Sequence, residues 1–203
     1  SKCRFFMTSF SSKIPVGILG ATGMVGQRFV SLLANHPWFT IVVLAASSVS
    51  AGKTYAEAVD GRWALSSAIP ESVKDIKLLS VESDISLIAQ QAKLVFSAIN
   101  MDKEPLQKLE LDYAAAGLGV VSNNSAHRWT EDVPLVLPEV NADHLALITT
   151  QRKRRGWTKG FLAVKPNCSI QSYVPPLHAL REFGLQKVCV STYQAISGAG
   201  KTF

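Results

Sequence analysis

Residues 14–30 read IPVGILGATGMVGQRFV. The run from Ile14 to Leu19 is short and apolar, as a strand should be. Glycines then recur at every third position, Gly17, Gly20, Gly23 and Gly26, before a stretch from Met24 to Asn35 with helical spacing of its apolar residues. Strand, glycine turn and helix in that order form the context that gives such a glycine pattern meaning. Glycine permits a tight turn and lets the backbone approach a pyrophosphate, while the first helical turn presents free N–H groups and a positive dipole end. The stretch therefore reads as a dinucleotide-binding turn, with Gly20, Thr22, Gly23, Met24 and Val25 as its contacts.

Working outward, further apolar runs alternate with helical stretches. Ile41 to Ala46 (IVVLAA), Ile76 to Val81, Leu94 to Ile99 (LVFSAI) and Val120 to Ser122 read as strands, and Pro105 to Ala116 reads as a helix with proline in its first turn. Continuous apolar strands alternating with helices indicate a parallel sheet covered on both faces. The organisation changes between Thr150 and Lys159, where the basic, aperiodic QRKRRGWTKG reads as a solvated loop. Phe161 to Val164 is then a strand leading to Cys168. Ile170 to Phe183 is a helix despite Pro175 and Pro176, and Lys187 to Ile196 (KVCVSTYQAI) is a strand. The fold class expected is α/β: an N-terminal extension (1–13), a Rossmann-type doubly wound parallel sheet (14–160), and the truncated start of an α+β catalytic or dimerisation domain (161–203).

Composition narrows the function classes. Of 203 residues, 47% are hydrophobic and 18% charged, ordinary for a globular chain. No apolar run approaches the ~20 residues of a membrane span, so no membrane partner is expected. The net charge of +6 falls to +2 without Arg152, Lys153, Arg154 and Arg155, and no aromatic-basic interleaving accompanies that run, which speaks against nucleic acid. Three cysteines, Cys3, Cys168 and Cys189, form no CxxC pair. Neither a disulfide framework nor a metal site is indicated, and a reducing, cytoplasmic setting fits. Ser1 to Lys13 is basic, Ser-rich and free of acids. That is the composition of a weak transit peptide, but a start-site artefact is favoured, with Met7 as a natural start.

The second strand bears on the choice of dinucleotide. A carboxylate at its end would bind the ribose 2′-hydroxyl of NAD. Instead it runs into Ser47, Ser48, Val49 and Ser50, then Gly52 and Lys53. Hydroxyls and an ammonium suit a 2′-phosphate, so NADP is the expected cofactor. The plainer alternative is that Ser47 or Ser50 only caps a turn. Cys168 lies between a strand and a helix in KPNCSIQ, where helix-terminal N–H groups favour a thiolate and can hold an oxyanion. Cys189, between Val188 and Val190, reads as an inert core residue, as does Cys3. His36, His144 and His178 read as structural, and His127 stays open. Gly200-Lys201-Thr202 resembles the tail of a P-loop, but position 195 is Ala where that motif needs Gly.

Seven segments in order, GILGATGMVGQRF, AASSVSAGKTY, VFSAI, VVSNNSAHRW, VPLVLPEVN, KPNCSIQ and STYQAISGAG, make the chain similar to the aspartate-β-semialdehyde dehydrogenase family, in its archaeal and fungal branch. The likeness spans Ile14 to Gly200 and corresponds to the N-terminal portion of that family. Glyceraldehyde-3-phosphate dehydrogenases differ at the cysteine with Ser-Cys-Thr-Thr-Asn, and N-acetyl-glutamyl-phosphate reductases with a Gly-Cys-Tyr context; this chain has Asn-Cys-Ser. The resemblance implies that Cys168 is the acyl-forming nucleophile, that Asn167 helps bind phosphate, and that Gln194 orients substrate. It also implies that Asn123, Ser125 and Arg128 line the phosphate side, and that Ser97, Ala98, Ser197 and Gly198 join the cofactor contacts.

The implied reaction is NADPH-dependent reductive dephosphorylation of L-aspartyl-4-phosphate to L-aspartate-4-semialdehyde through a Cys168 thioester, a step of lysine, threonine, methionine and isoleucine biosynthesis. The implied partners are a small-molecule substrate and phosphate, with a homodimer or homotetramer at full length. The family's base histidine and substrate-gripping arginine match nothing up to Phe203, so this chain alone is expected to be inactive. A malonyl-CoA-type acyl reductase and a non-catalytic NADP-binding module are the alternatives.

Overall fold

The computed structural model describes residues 12–195. Six strands, β1 (Ile14–Leu19), β2 (Phe39–Ala46), β3 (Leu79–Ser80), β4 (Leu94–Ser97), β5 (Gly119–Ser122) and β6 (Phe161–Val164), form one parallel sheet in the order β3-β2-β1-β4-β5-β6. This is the order of Rossmann folds, in which the chain winds outward from β1 in one direction and then returns to wind in the other. The helices are α1 (Met24–Leu33), α2 (Tyr55–Val59), α3 (Ile85–Gln91), α4 (Lys103–Ala115), α5 (Pro138–Asn141), α6 (Leu147–Arg155) and α7 (Ile170–Ala179).

The continuous apolar strands follow from burial on both faces. Ile18 and Leu44 point into a core shared with Val30 and Leu33 of α1 and Tyr55 and Val59 of α2. Their strand neighbours Leu19, Val43 and Ala45 point the other way, against Ile88 of α3 and Leu106, Leu109 and Tyr113 of α4. Both buried tyrosines have satisfied hydroxyls, Tyr55 donating to the Ala21 carbonyl at 3.0 Å and Tyr113 to Val81 at 2.8 Å. Burial pushes both phenols well above their ordinary range.

Four expectations need correction. The basic run is no loop: Arg152 to Arg155 form the last turn of α6, closed by Gly156 at φ +70°. Cations are favoured at a helix C-terminus, and most of these have partners. Arg155 grips Asp132 in a two-pronged pair at 2.5 and 2.7 Å, Arg154 meets Glu131 at 2.8 Å, and Arg152 donates to the carbonyls of Lys159 and Gly160. The sheet also passes the boundary expected at 160, because β6 pairs with β5 from Gly119↔Phe161 to Ser122↔Val164. Buried Gln151 of α6 secures β6 by exchanging hydrogen bonds with the Leu162 backbone.

Third, the strand expected over 187–196 is absent from its described part, 187–195, which is exposed and unpaired. A strand exists only against a neighbour, and this segment pairs with none of the described strands. Cys189 is consequently exposed, not buried. Fourth, only Leu79–Ser80 of the run from Ile76 to Val81 pairs in the sheet, since Ile76 and Leu78 bond the loop before α2 instead.

Candidate functional site

Sheet register places the site. Ala45, Leu19, Ser97, Ser122 and Val164 pair successively across β2, β1, β4, β5 and β6, near the C-terminal edge of the sheet. The segments that follow, carrying Gly20, Ser47, Ala98, Asn123 and Cys168, therefore emerge along one edge. In open α/β sheets ligands bind there, where the winding reverses. Here the reversal falls between β1 and β4, and a cavity of about 220 Å³ opens at that point. Its lining comes from the glycine turn (Gly20, Thr22, Gly23), the end of β2 (Ala46, Ser47), Val81 and Glu82 beyond β3, and Ala98 to Met101 beyond β4.

Glycine is required at two points of that turn. Gly20 has φ +78°, and a Cβ there would lie 2.4 Å from the Ala98 carbonyl oxygen. A Cβ on Gly26 would lie 2.1 Å from the Gly20 oxygen, so α1 can approach the turn only because position 26 has no side chain. Gln27 fixes the turn from behind, donating to the carbonyls of Thr22 and Arg62 and accepting from the Ala64 N–H. Gly23 caps α1 without any side-chain hydrogen bond, and among the described residues nothing engages the N–H groups of Thr22, Met24 and Val25. Bare donors at the positive end of a helix, beside a cavity, fit a pyrophosphate.

The other expected cofactor contacts divide. Ser47, Thr22, Gly23 and Ala98 line the crevice. Ser48 is exposed beyond its rim. Ser50 is buried and its N–H closes a turn on the Ser47 carbonyl; Lys53 is exposed, outside the lining. Ser97 is buried, with its hydroxyl committed to Glu110. Ser197 and Gly198 lie outside the described residues. Sequence reasoning found no acid at the end of β2, yet the fold brings Glu82 to the same crevice from beyond β3. No signal in the β2 segment could have shown it.

At the other end of the edge, Cys168 is exposed in the turn between β6 and α7. Asn167 shapes that turn, its Oδ1 accepting from the N–H and the hydroxyl of Ser169 at 2.9 and 2.5 Å. Arg128, arriving from the loop after β5, donates Nε–H to the Lys165 carbonyl at 3.2 Å. Burial, and then the Arg128 charge, hold the Lys165 ammonium below the usual lysine range, while Cys168 acts in the opposite sense. Lys165 thus lies within electrostatic reach of the exposed thiol, while Arg128 is held on the Lys165 carbonyl, and Lys165 joins the candidate site as a residue the sequence reading passed over. Asn123 continues the loop from β5, its N–H bonded to the Ser97 carbonyl at 2.9 Å, and Ser125 is exposed on it. Gln194 is exposed, and no described hydrogen bond joins it to Cys168.

His127 is a packing residue. It is buried, with Nδ1 on the Thr130 hydroxyl and Nε2 on the Gln107 carbonyl at 2.9 and 3.0 Å. Desolvation lowers its pKa below the ordinary histidine value. Among the described residues no group of three or more His, Cys, Asp or Glu could hold a metal ion, and no helix is long and apolar enough to cross a membrane.

Residues 15–148 match the family model described as semialdehyde dehydrogenase, NAD binding domain. The chain belongs to the semialdehyde dehydrogenase family. Among its relatives in that family, it is 47% identical over 185 residues to an aspartate-semialdehyde dehydrogenase of Archaeoglobus fulgidus, covering 91% of this chain and 51% of that one. It is 42% identical over 190 residues to the enzyme of the same name from Saccharomyces cerevisiae, covering 91% and 50%. The crystal structure of aspartate semialdehyde dehydrogenase with NADP from Candida albicans superposes with a TM-score of 0.72 at 39% identity, covering 85% of this chain and 48% of that one. The chain spans about half the length of the curated relatives it matches. The family model supports a nicotinamide dinucleotide as cofactor, and the bare α1 terminus beside the crevice is chemically suited to a pyrophosphate.

Proposed function

We propose that the chain carries the cofactor and nucleophile parts of an NADP-dependent aspartate-semialdehyde dehydrogenase. The reaction is the reductive dephosphorylation of L-aspartyl-4-phosphate to L-aspartate-4-semialdehyde, in aspartate-family amino-acid biosynthesis. The observation that carries this reading is the shared edge: Cys168 and the crevice emerge from one side of one sheet, with Lys165 within electrostatic reach of the thiol and Arg128 held on the Lys165 carbonyl. β6 lies two strands from β4, or about 10 Å at the usual strand spacing. A substrate on Cys168 could therefore extend toward the crevice.

Bound dinucleotide would supply hydride; the rest of the chemistry belongs to side chains. The Cys168 thiolate attacks the acyl carbon and phosphate leaves with the C–O bonding pair, giving a thioester that is easier to reduce than a carboxylate. Arg128 and Lys165 offset the charge of the departing phosphate. The first turn of α1 would hold the pyrophosphate, and Ser47 just after acid-free β2 would accommodate a 2′-phosphate. Cytoplasmic location and a homodimeric or homotetrameric full-length enzyme belong to the same proposal.

No described histidine hydrogen-bonds to Cys168, and a general acid–base typically contributes ~10²–10⁴-fold. Acyl transfer is therefore the readout to use, and turnover is not expected of these 203 residues. Incubation with aspartyl phosphate should give an acyl adduct, located by peptide mass spectrometry on Cys168 and absent from Cys168→Ala. Fluorescence titration should show NADPH binding more tightly than NADH, with Glu82→Gln widening the preference. An adduct on Cys189 instead, or a preference for NADH, would overturn the corresponding half of the proposal.

A further inference from the structure

Glu110 occupies a position made for an apolar side chain. It is on the face of α4 that buries Leu106, Leu109, Tyr113 and Ala114, and it is itself 0% exposed. Carboxylates are almost never buried so completely without compensating partners. Here the partners converge on one oxygen: Oε1 accepts from the Ser97 hydroxyl at 2.7 Å, the Ser122 hydroxyl at 2.6 Å and the Asn124 amide at 3.0 Å. The other oxygen, Oε2, is buried with no partner, the sole such side-chain atom among the described residues. A methionine would fill this volume but would strand the Ser97 and Ser122 hydroxyls and the Asn124 donor, so volume alone does not account for the acid.

Its placement does. Ser97 and Ser122 are the last residues of β4 and β5 and pair with each other across the sheet. Immediately beyond Ser97, Ala98 to Met101 wall the crevice. Immediately beyond Ser122 runs the loop through Asn123 and Asn124 to Arg128, which reaches the backbone next to the Cys168 turn. Asn124 closes the network by donating also to the Ser97 hydroxyl and by taking its N–H to the Ser122 hydroxyl.

We propose that Glu110 is a positioning residue that clamps the crevice wall after β4 to the anion-side loop after β5, holding cofactor and substrate contacts in one fixed relation. The functional part of this inference rests on the reading of the crevice as a dinucleotide site; the clamp itself does not. The test compares Glu110→Met, which fills the volume but accepts nothing, with Glu110→Gln, which keeps an acceptor oxygen. Hydrogen exchange of the whole chain should show Glu110→Met speeding exchange about tenfold in residues 97–101 and 122–128, the effect of losing buried hydrogen bonds. Residues 16–19 and 41–46 should be unchanged. NADP affinity should fall by a similar factor, and Glu110→Gln should restore both to within about threefold.

Uniformly faster exchange would reduce Glu110 to a structural staple, and unchanged exchange would remove the clamp; either overturns the proposal. If wild-type chain fails to bind NADP, the crevice reading falls while the exchange pattern still decides the clamp. Should Glu110→Met not fold, Ser122→Ala and Asn124→Ala remove donors singly, and the same two segments must loosen.

Discussion

The turns at Gly20 and at Cys168 both join a strand to a helix at the same edge of one sheet, yet they are built in opposite ways. The Gly20 turn is made of backbone held from every side. Ala98 presses on it, Gln27 and Tyr55 bond its carbonyls, and α1 behind it buries Gly26, Gln27, Val30 and Leu33. The Cys168 turn is made of side chains at the surface. Asn167 and Cys168 are exposed, and α7, which follows, buries no residue among those described. A cofactor crevice can thus be complete within a single sheet. A nucleophile on a half-covered helix is only positioned, and its chemistry depends on groups that other segments bring to it.

The sharpest way to break this contrast is to alter each turn and measure the fold. Gly20→Ala puts a Cβ at φ +78° and 2.4 Å from the Ala98 oxygen. Strain of about 1–3 kcal/mol and overpacking of about 1–3 kcal/mol, at about 2–4 °C per kcal/mol for a domain of this size, predict a melting point lower by roughly 10 °C. Cys168→Ser should stay within about 0.5 kcal/mol of the parent. Thermal unfolding by circular dichroism decides the matter. Equal melting points for the two variants would mean that the glycine turn is no more constrained than the cysteine turn.

The same contrast explains what could be read in the sequence. Strand, glycine turn and helix were legible because their signals are local: an apolar run, a glycine spacing and a helical period within residues 14–33. Strands β4, β5 and β6 were legible for the same reason, and so was α7, which continues through Pro175 and Pro176. What could not be read was made by tertiary contact. Arg155 turned a supposed loop into a helix end by meeting Asp132, 23 residues away. Glu82 reached the crevice only through the pairing of β3 with β2. Glu110 did leave a trace, as a lone acid among apolar residues at core spacing, since a buried polar group is the informative exception. Cys189 shows the converse error: flanking valines suggest burial, but burial requires a neighbour to provide it.

A second test sharpens the contrast at the exposed turn. Cys168 and Cys189 are both exposed, so accessibility does not separate them. Cys168 adds the α7 N-terminus and the nearby Lys165 charge, with Arg128 held on the Lys165 carbonyl. Limited iodoacetamide labelling of folded chain, read by peptide mass spectrometry, should favour Cys168 about tenfold, equivalent to ~1.4 kcal/mol. Lys165→Met should narrow that ratio while leaving the rate at Cys189 alone. Equal labelling of the two thiols would show that these charges do not prepare Cys168.

The smallest expected effect is a pH dependence that belongs to buried His127 in the loop after β5. His127 is neutral in the fold: Nε2–H donates to the Gln107 carbonyl, which leaves Nδ1 to accept from the Thr130 hydroxyl. Burial is the leading reason that its folded pKa lies below the ordinary 6.5, and the Gln107 bond only partly opposes it. Between the folded and unfolded values the unfolded chain binds more protons, so stability rises with pH across that window. The contribution is complete above pH 6.5 and is lost as pH falls through the folded pKa. The melting point should therefore hold steady from pH 8 to 7 and drop by a few degrees toward pH 5, before the carboxylate of Asp132, lowered below 3.8 by Arg155, begins to titrate. In His127→Gln the slope between pH 6.5 and 5 should flatten, because glutamine can keep a hydrogen bond to the Gln107 carbonyl without taking up a proton. A slope that survives this substitution would place the acid sensitivity outside His127.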